Sequence, residues 1–326
     1  MLINSLGVAL SSFFLSVLFA LLIKELSHRW NFLTSKGTPS IGGVSMGLAF
    51  FAGLLSTGSY VAGFPKEIQG VLIASAVILL VGIVDDHKEL SVIQKFAVQL
   101  IAASILVGFG VRTNFVYVGD PWNMVVSLLW IIGITNAMNL LDVMDGLAGG
   151  TAFVILTGFC AISAMNGDSI TLTLSCVLGG TVLGFLVYNV PPAKVYMGNS
   201  GSHFLGIVLA AISLTAHYAT LERPLALLVP MLLMGFPILD TLFLILMRVR
   251  KGKSAFNKSE DHMALRFLKK GYSKRKTLAV MMGWTLFFVM VGLILSKVSN
   301  LFAVLTLVFA GLGSFVLIKK MSRVQI

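Results

Sequence analysis

The feature that most constrains this chain is a succession of about eleven apolar runs, each long enough to cross roughly 30 Å of hydrocarbon as a helix. They fall at 4–23, 41–62, 68–84, 94–111, 122–141, 151–165, 169–188, 202–218, 224–247, 277–295 and 300–318. Backbone groups in lipid must be satisfied within the segment or in a closed barrel, and the alternation of barrel strands is absent here. The expected fold is therefore all-α: a polytopic integral membrane protein of about 11 transmembrane helices, a single domain over 1–326 with one long polar loop at 248–276. Composition agrees, with 57% hydrophobic and 11% charged residues, against roughly 25% charged in soluble domains. The first run lacks a basic start and a small-residue cleavage site, so it reads as a retained helix rather than a signal peptide. Cys160 and Cys176 lie inside apolar runs, where packing is a better reading than a disulfide; no CxxC pattern is present.

Charge then orients the bundle. An odd number of spans puts the termini on opposite sides. Twenty of the 24 Lys and Arg residues gather on one side, including eleven between Arg248 and Lys276, and four on the other: Lys66, Arg112, Arg223 and Lys297. Without the 248–276 loop the ratio is still nine to four. The positive-inside rule thus predicts an outside N-terminus and a cytoplasmic C-terminus. The formal charge of +11 follows from this topology and from anionic lipid headgroups. No nucleic-acid motif accompanies it. Asp85, Asp86, Glu89, Asp142, Asp145, Glu260 and Asp261 fall on the same, cytoplasmic side, so a polar site is expected there.

In GIVDDHKEL (82–90), Asp85 and Asp86 are adjacent carboxylates at a membrane interface. They repel unless a cation or proton intervenes, and Mg²⁺ uses one or two carboxylates plus substrate phosphates. Alone, the pair reads better as a helix cap with a solvated acidic turn. In NAMNLLDVMDGLAGG (136–150), Asn136, Asn139, Asp142 and Asp145 are three apart. In a continuous helix they form one polar stripe roughly 13 Å long. Facing lipid it would be costly, so it should face the interior or a cleft. The competing reading is polar glue between helices, for which two carboxylates are poorly suited.

YMGNSGSHFLG (196–206) leads into a span, where backbone N–H groups suit a phosphate; by itself it is an ordinary helix-entry turn. Tyr196 could stack on a nucleobase or anchor at the interface. Lys36, in SKGTPSIGG (35–43), fits a phosphate contact or a headgroup anchor. Asp240, about eight residues inside the span boundary, is either a functional acid or a structural partner for another helix. KSEDHMALRFLKKGYSKRK (258–276) is basic and amphipathic through Met263, Leu265, Phe267 and Leu268. His262 and Arg266 are i and i+4 and could hold a diphosphate, while the segment could simply lie on anionic lipid.

Together, GTPSIGG, DDHKEL, NAMNLLDVMDGLAGG, YMGNSGSHFLG and the basic loop with its Asp-His resemble the polyprenyl-phosphate N-acetylhexosamine-1-phosphate transferase superfamily, glycosyltransferase family 4. Phospho-N-acetylmuramoyl-pentapeptide transferase and undecaprenyl-phosphate GlcNAc-1-phosphate transferase belong to it. The resemblance covers nearly the whole chain, and its second and third motifs carry most of the specificity. It implies transfer of a sugar-1-phosphate from a UDP-N-acetylhexosamine to a polyprenyl phosphate in the cell membrane, with Mg²⁺ (Mn²⁺ as a substitute) and release of UMP. It further implies Asp85, Asp86, Asp142 and Asp145 as catalytic residues, and Asp85, Asp86, Asp142 and Asn199 as the metal set. Lys36, Asn139, Tyr196, Ser200, His262 and Arg266 become the substrate contacts, and Asp85 a base for the acceptor. Some relatives suggest a homodimer. Three departures stand out: Asn199 where the family's loop has a metal-binding aspartate, Val143 where a glycine is common, and Asp261-His262 with Arg266 in place of a histidine cluster.

Two other readings compete. A transporter or lipid flippase predicts inverted repeats and a midplane site, whereas here the acids gather at one face. A weakened paralogue is suggested by Asn199. A CDP-alcohol phosphotransferase is disfavoured because its D-G-x-x-A-R run is absent.

Overall fold

The computed structural model describes residues 2–30, 34–35, 38–57, 63–115, 118–218, 224–254 and 261–324. Apart from a ladder of two-residue strands, β1 (Thr34–Ser35) and β2 (Thr38–Pro39), its regular structure is helical. The helices are α1 (Leu2–Trp30), α2 (Gly42–Ser56), α3 (Lys66–His87), α4 (Val92–Gly108), α5 (Asp120–Leu141), α6 (Leu147–Asn166), α7 (Ser169–Asn189), α8 (Gly198–Thr215), α9 (Val229–Leu233), α10 (Gly235–Arg250), α11 (Met263–Lys269), α12 (Lys274–Leu295) and α13 (Asn300–Ser322). Each of the eleven apolar runs is occupied by helix. Among the described residues, seven helices are long and apolar enough to cross a membrane.

The run at 224–247 is not one straight helix. A 3-10 turn (Pro224–Leu228) leads into α9, and the chain bends by 71° before α10. Pro230 at the start of α9 and Gly235 and Pro237 at the start of α10 account for the break, since proline removes a ladder donor and clashes with the preceding turn. Counting this bent pair as one crossing gives eight; α2 and α4 are apolar but shorter.

Local chemistry sets the helix starts. At α4, the Ser91 hydroxyl accepts the Gln94 N–H at 3.3 Å and the Gln94 side chain accepts the Ser91 N–H at 2.9 Å, a reciprocal capping box. Asp168 caps α7 by accepting the Thr171 N–H at 3.1 Å, and Ser273 caps α12 by accepting the Lys276 N–H at 3.2 Å.

The core is organised around α8, which is buried continuously from Ser200 to Ser213 between α2, α3, α5, α6 and α7. An apolar helix buried on every side belongs at the centre of such a bundle. Phe204 packs edge-on to Phe50 at 5.6 Å and to Phe51 at 6.3 Å, contacts worth about 0.5–1.5 kcal/mol each. The Trp130 indole N–H donates to Ser213 at 2.8 Å and ties α5 to α8. At the periphery, α7 lies against α1 so closely that a Cβ on Gly180 would meet the Ala9 carbonyl oxygen at 2.1 Å, the small-residue contact that substitutes for a hydrophobic drive in lipid. The outward faces of α1 and α13 remain apolar and exposed, as lipid-facing surfaces should be.

Candidate active site

Antiparallel packing brings the C-terminal ends of α3, α5 and α7 to the same end of the bundle as the N-terminal ends of α4, α6, α8 and α12. Asp86, in the last turn of α3, reaches the start of α8. Its carboxylate accepts the Asn199 N–H at 2.6 Å, the Ser200 N–H at 3.1 Å and the Ser200 hydroxyl at 2.6 Å. A negative side chain on the free N–H groups of a helix start is favoured by their partial positive charge. Gly198 makes the approach possible: its φ is +75°, and a Cβ there would stand 2.6 Å from an Asp86 oxygen.

This arrangement corrects two expectations. The Asn199 and Ser200 N–H groups, read as a phosphate cradle, already serve the protein's own carboxylate. Ser200 is fully buried and holds Asp86, so it does not present its hydroxyl to a substrate.

Asp85 and Asp86 face different partners. Asp85 is buried, accepts the Leu90 N–H at 2.7 Å and pairs with Lys95 at 2.8 Å. Beside it lies a small pocket reached also by Gln99 and His203. A carboxylate compensated by a lysine is poorly placed to serve as base or metal ligand, which removes the motive for assigning Asp85 either role. Lys95 escaped the motif reading. Its signal is the short turn between α3 and α4, which folds a lysine ten residues onward back onto the aspartate.

The stripe from Asn136 to Asp145 is not continuous. Helix α5 ends at Leu141; Asp142 takes φ −78° and ψ 58°, and Gly146 turns at φ +75° into α6. Its members then diverge. Asn136 and Gln99 exchange side-chain hydrogen bonds at 2.7 and 3.3 Å, so Asn136 is the interhelical glue. Asn139 donates to the Asn199 side-chain oxygen at 3.3 Å and to Ser202 at 2.9 Å. Asp145 pairs with Lys274, at the start of α12, at 3.2 Å. Buried Asn189 pins the turn by accepting the Gly146 N–H at 2.9 Å and donating to the Val195 carbonyl at 2.9 Å. Lys274 and Asn189 were not singled out in the sequence; a polar residue closing the apolar run LVYN was the available signal for Asn189.

Asp142 has the most demanding electrostatics. Burial pushes its carboxyl up to about 7, and the nearby charges of Asp86 and Asp145 push the same way, with no hydrogen bond or cation among the described residues to offset them. Among the described residues, no three His, Cys, Asp or Glu side chains form a closed metal cage. A closed cage is not what Mg²⁺ needs, since it keeps waters and substrate phosphates around one or two carboxylates. An uncompensated acid beside two others fits such a cation.

The basic segment behaves differently. His262 is buried, with its Nδ1 3.1 Å from the Asp240 carboxylate, which also accepts the Met263 N–H at 2.9 Å. Arg266 is 2% exposed; it donates to the Asp261 carboxylate at 2.6 Å and to the Met321 carbonyl at 3.0 Å, and it also reaches the Val324 carbonyl. The Arg266 guanidinium and the His262 Nδ1, both expected to hold a diphosphate, are engaged by the protein, with Asp261 the partner of the first and Asp240 of the second. His262 also precedes α11 rather than sharing its face with Arg266. Tyr196 is half-buried, and its main chain is stitched to residues 39–43 by hydrogen bonds of 2.8 and 2.9 Å. Lys36 lies outside the described residues.

Residues 68–217, which contain Asp85, Asp86, Asn139, Asp142, Asp145, Tyr196 and Asn199, match glycosyl transferase family 4. A Mycobacterium tuberculosis (strain CDC 1551 / Oshkosh) protein named decaprenyl-phosphate N-acetylglucosaminephosphotransferase is 34% identical over 280 residues, covering 76% of this chain and 69% of its own. The chain belongs to glycosyl transferase family 4. Other members similar to it include a Bacillus subtilis (strain 168) protein named "Probable undecaprenyl-phosphate N-acetylglucosaminyl 1-phosphate transferase", 32% identical over 250 residues, 74% of this chain and 69% of that protein. The phospho-N-acetylmuramoyl-pentapeptide-transferase of Shouchella clausii (strain KSM-K16) is 33% identical over 197 residues, 55% of this chain and 61% of its own. In this family 4 chain, His262, Arg266 and Lys274 lie beyond the matched segment.

Proposed function

We propose that this protein transfers a sugar-1-phosphate, of the N-acetylhexosamine class, from a UDP-sugar to a polyprenyl phosphate, releasing UMP. Undecaprenyl phosphate is the acceptor that the resemblance favours, and the product would start a cell-envelope glycan. The observation that carries this reading is the uncompensated Asp142 carboxylate between Asp86 and Asp145, in a chain whose relatives bear transferase names of this kind. The distribution of Lys and Arg supports a cytoplasmic site in the cell membrane, and the eleven apolar runs support about eleven crossings. A homodimer is carried over from the resemblance alone.

Asp142, with the Asn199 amide oxygen and the remaining lone pairs of Asp86, would hold Mg²⁺, with Asp145 and its Lys274 partner beside them. Bound there, the ion supplies neutralisation of the charge that develops on the diphosphate oxygens. The chain's own residues do the rest. Asp86 fixes the start of α8, and with it the Asn199 side chain, against the turn that carries Asp142. Asn139 orients Asn199 and leaves Asp142 clear of protein donors. Lys274 balances Asp145, so that one carboxylate of the three is already compensated.

In the reaction, an acceptor phosphate oxygen attacks the phosphorus that bears the sugar, and the bond to the uridylyl phosphate breaks. A phosphate monoester is largely ionised at pH 7, so no base is required, in keeping with the engagement of Asp85 by Lys95. The transporter reading loses its deep acid, because Asp240 is consumed by His262 and the Met263 N–H. Purified protein in detergent, given polyprenyl phosphate, Mg²⁺ and a panel of UDP-sugars, is expected to release UMP and to form a lipid whose mass identifies the donor. Silence across the panel, with an active relative working alongside, contradicts the proposal.

A further inference from the structure

The lipid-facing side of α13 is exposed and apolar from Leu301 to Val316, fifteen rises or roughly 22 Å along the helix. Where that band ends, the chain carries Lys319, Lys320 and Arg323. Together with Lys270 these cations surround a cavity of about 480 Å³, closed on its apolar sides by Val316 and Val324 and lined by no acid. Lys270 is four residues before Lys274, so the cavity opens at the same end of the bundle as the carboxylate cluster.

The walls of this cavity are fixed to each other. Arg266, in α11, donates to the Met321 and Val324 carbonyls at the end of α13. Its charge is balanced by Asp261, which also binds Lys251 at 2.7 Å. The exposed lysines and arginine of the cavity take no part in that network. Scattered topological lysines need no such frame; four cations gathered over a braced concavity do.

We propose that this cavity is a binding site for the phosphate headgroup of an anionic membrane phospholipid, whose acyl chains lie along the exposed face of α13. The depth at which the apolar band gives way to cations is that of the headgroups, and basic pockets between helices at that level suit anionic lipid. The site is separate from the transfer reaction and stands or falls without it.

Native mass spectrometry of the full-length protein, offered equal amounts of phosphatidylglycerol and phosphatidylcholine, tests it. The wild type is expected to retain phosphatidylglycerol with about tenfold preference. The triple variant Lys319→Gln, Lys320→Gln, Arg323→Gln is expected to lose that preference. A control with as many charges removed, Lys24→Gln, Lys88→Gln, Arg250→Gln, should keep it, as should Lys319→Arg with Lys320→Arg, which guards against simple misfolding. An unchanged preference in the first variant, or an equal loss in the control, overturns the proposal. Displacement of the lipid by an equal concentration of inorganic pyrophosphate overturns it too, by assigning the cavity to a free phosphate ligand.

Discussion

The turn that carries Asp142 and the segment that carries Asp261, His262 and Arg266 both look like ligand sites in the sequence, yet their charges are handled in opposite ways. In the segment the buried polar groups have partners within the protein: His262 with Asp240, and Asp261 with Lys251 and Arg266. In the turn, Asp142 meets only like charges among the described residues. Compensated buried groups hold a structure together, whereas an uncompensated one has capacity left for a ligand.

The comparison breaks most visibly at Arg266. Removing one partner of a buried ion pair costs about 3–5 kcal/mol, so Arg266→Ala should greatly lower the melting temperature. If the melting temperature stays and only the KM for the UDP-sugar rises, the segment is a substrate site after all. Asp142→Asn should do the reverse. Turnover should fall roughly 10²–10³-fold, while the melting temperature holds or rises because one of three repelling carboxylates is gone. Near-normal UMP release from that variant would remove the turn from the chemistry.

Acidity separates the two regions next. An acid whose folded pKa is raised stabilises below its unfolded value and loses that contribution as the pH climbs through the folded one. Asp142 is raised from 3.8 to about 7, so the metal-free protein should lose several degrees of melting temperature between pH 5 and 8. Mg²⁺ should restore them at pH 8. Burial raises Asp261, but its hydrogen bonds and ion pairs with Lys251 and Arg266 outweigh this and hold it below the carboxylate range. Its contribution is therefore constant across that window and fades only as the pH falls through its folded value. With Asp142→Asn in place the slope between pH 5 and 8 should become shallower; an unchanged slope assigns it elsewhere.

A smaller effect is expected at Asn199. Asn199→Asp adds a charged ligand beside Asp142 and should reduce the Mg²⁺ concentration for half-maximal activity by about tenfold or less, the equivalent of ~1.4 kcal/mol. A raised requirement would mean that the amide is the ligand this site needs. The smallest effect belongs to the glue pair: replacing both Gln99 and Asn136 by Leu should shift stability by about 1 kcal/mol at most and leave turnover alone. A collapse of turnover would return Asn136 to the site.

Much of this was legible in the residues. Apolar runs mark helices because the backbone in lipid has no other partner, and all eleven runs are helical. The acids were rightly brought to one end, since Asp86, Asp142 and Asp145 share each other's field. What the residues concealed was partnership across the fold. The stripe from Asn136 to Asp145 assumed a helix that stops at Leu141, and its stop depends on Asn189, some forty residues later. The adjacent aspartates were read as a unit, although Lys95 and the start of α8 take one each. His262 and Arg266 looked like free cations because Asp240 and the end of α13 are distant in sequence. The bend at Met234 was foreshadowed by Pro230 and Pro237, but its 71° is set by packing.

The most direct test of a cation at the Asp142 turn is the binding of Mn²⁺, followed by electron paramagnetic resonance on the purified protein and displaced by Mg²⁺. One competable ion in the wild type, and none in a folded Asp142→Asn variant, is the expected result. Equal binding by the two proteins would contradict the account.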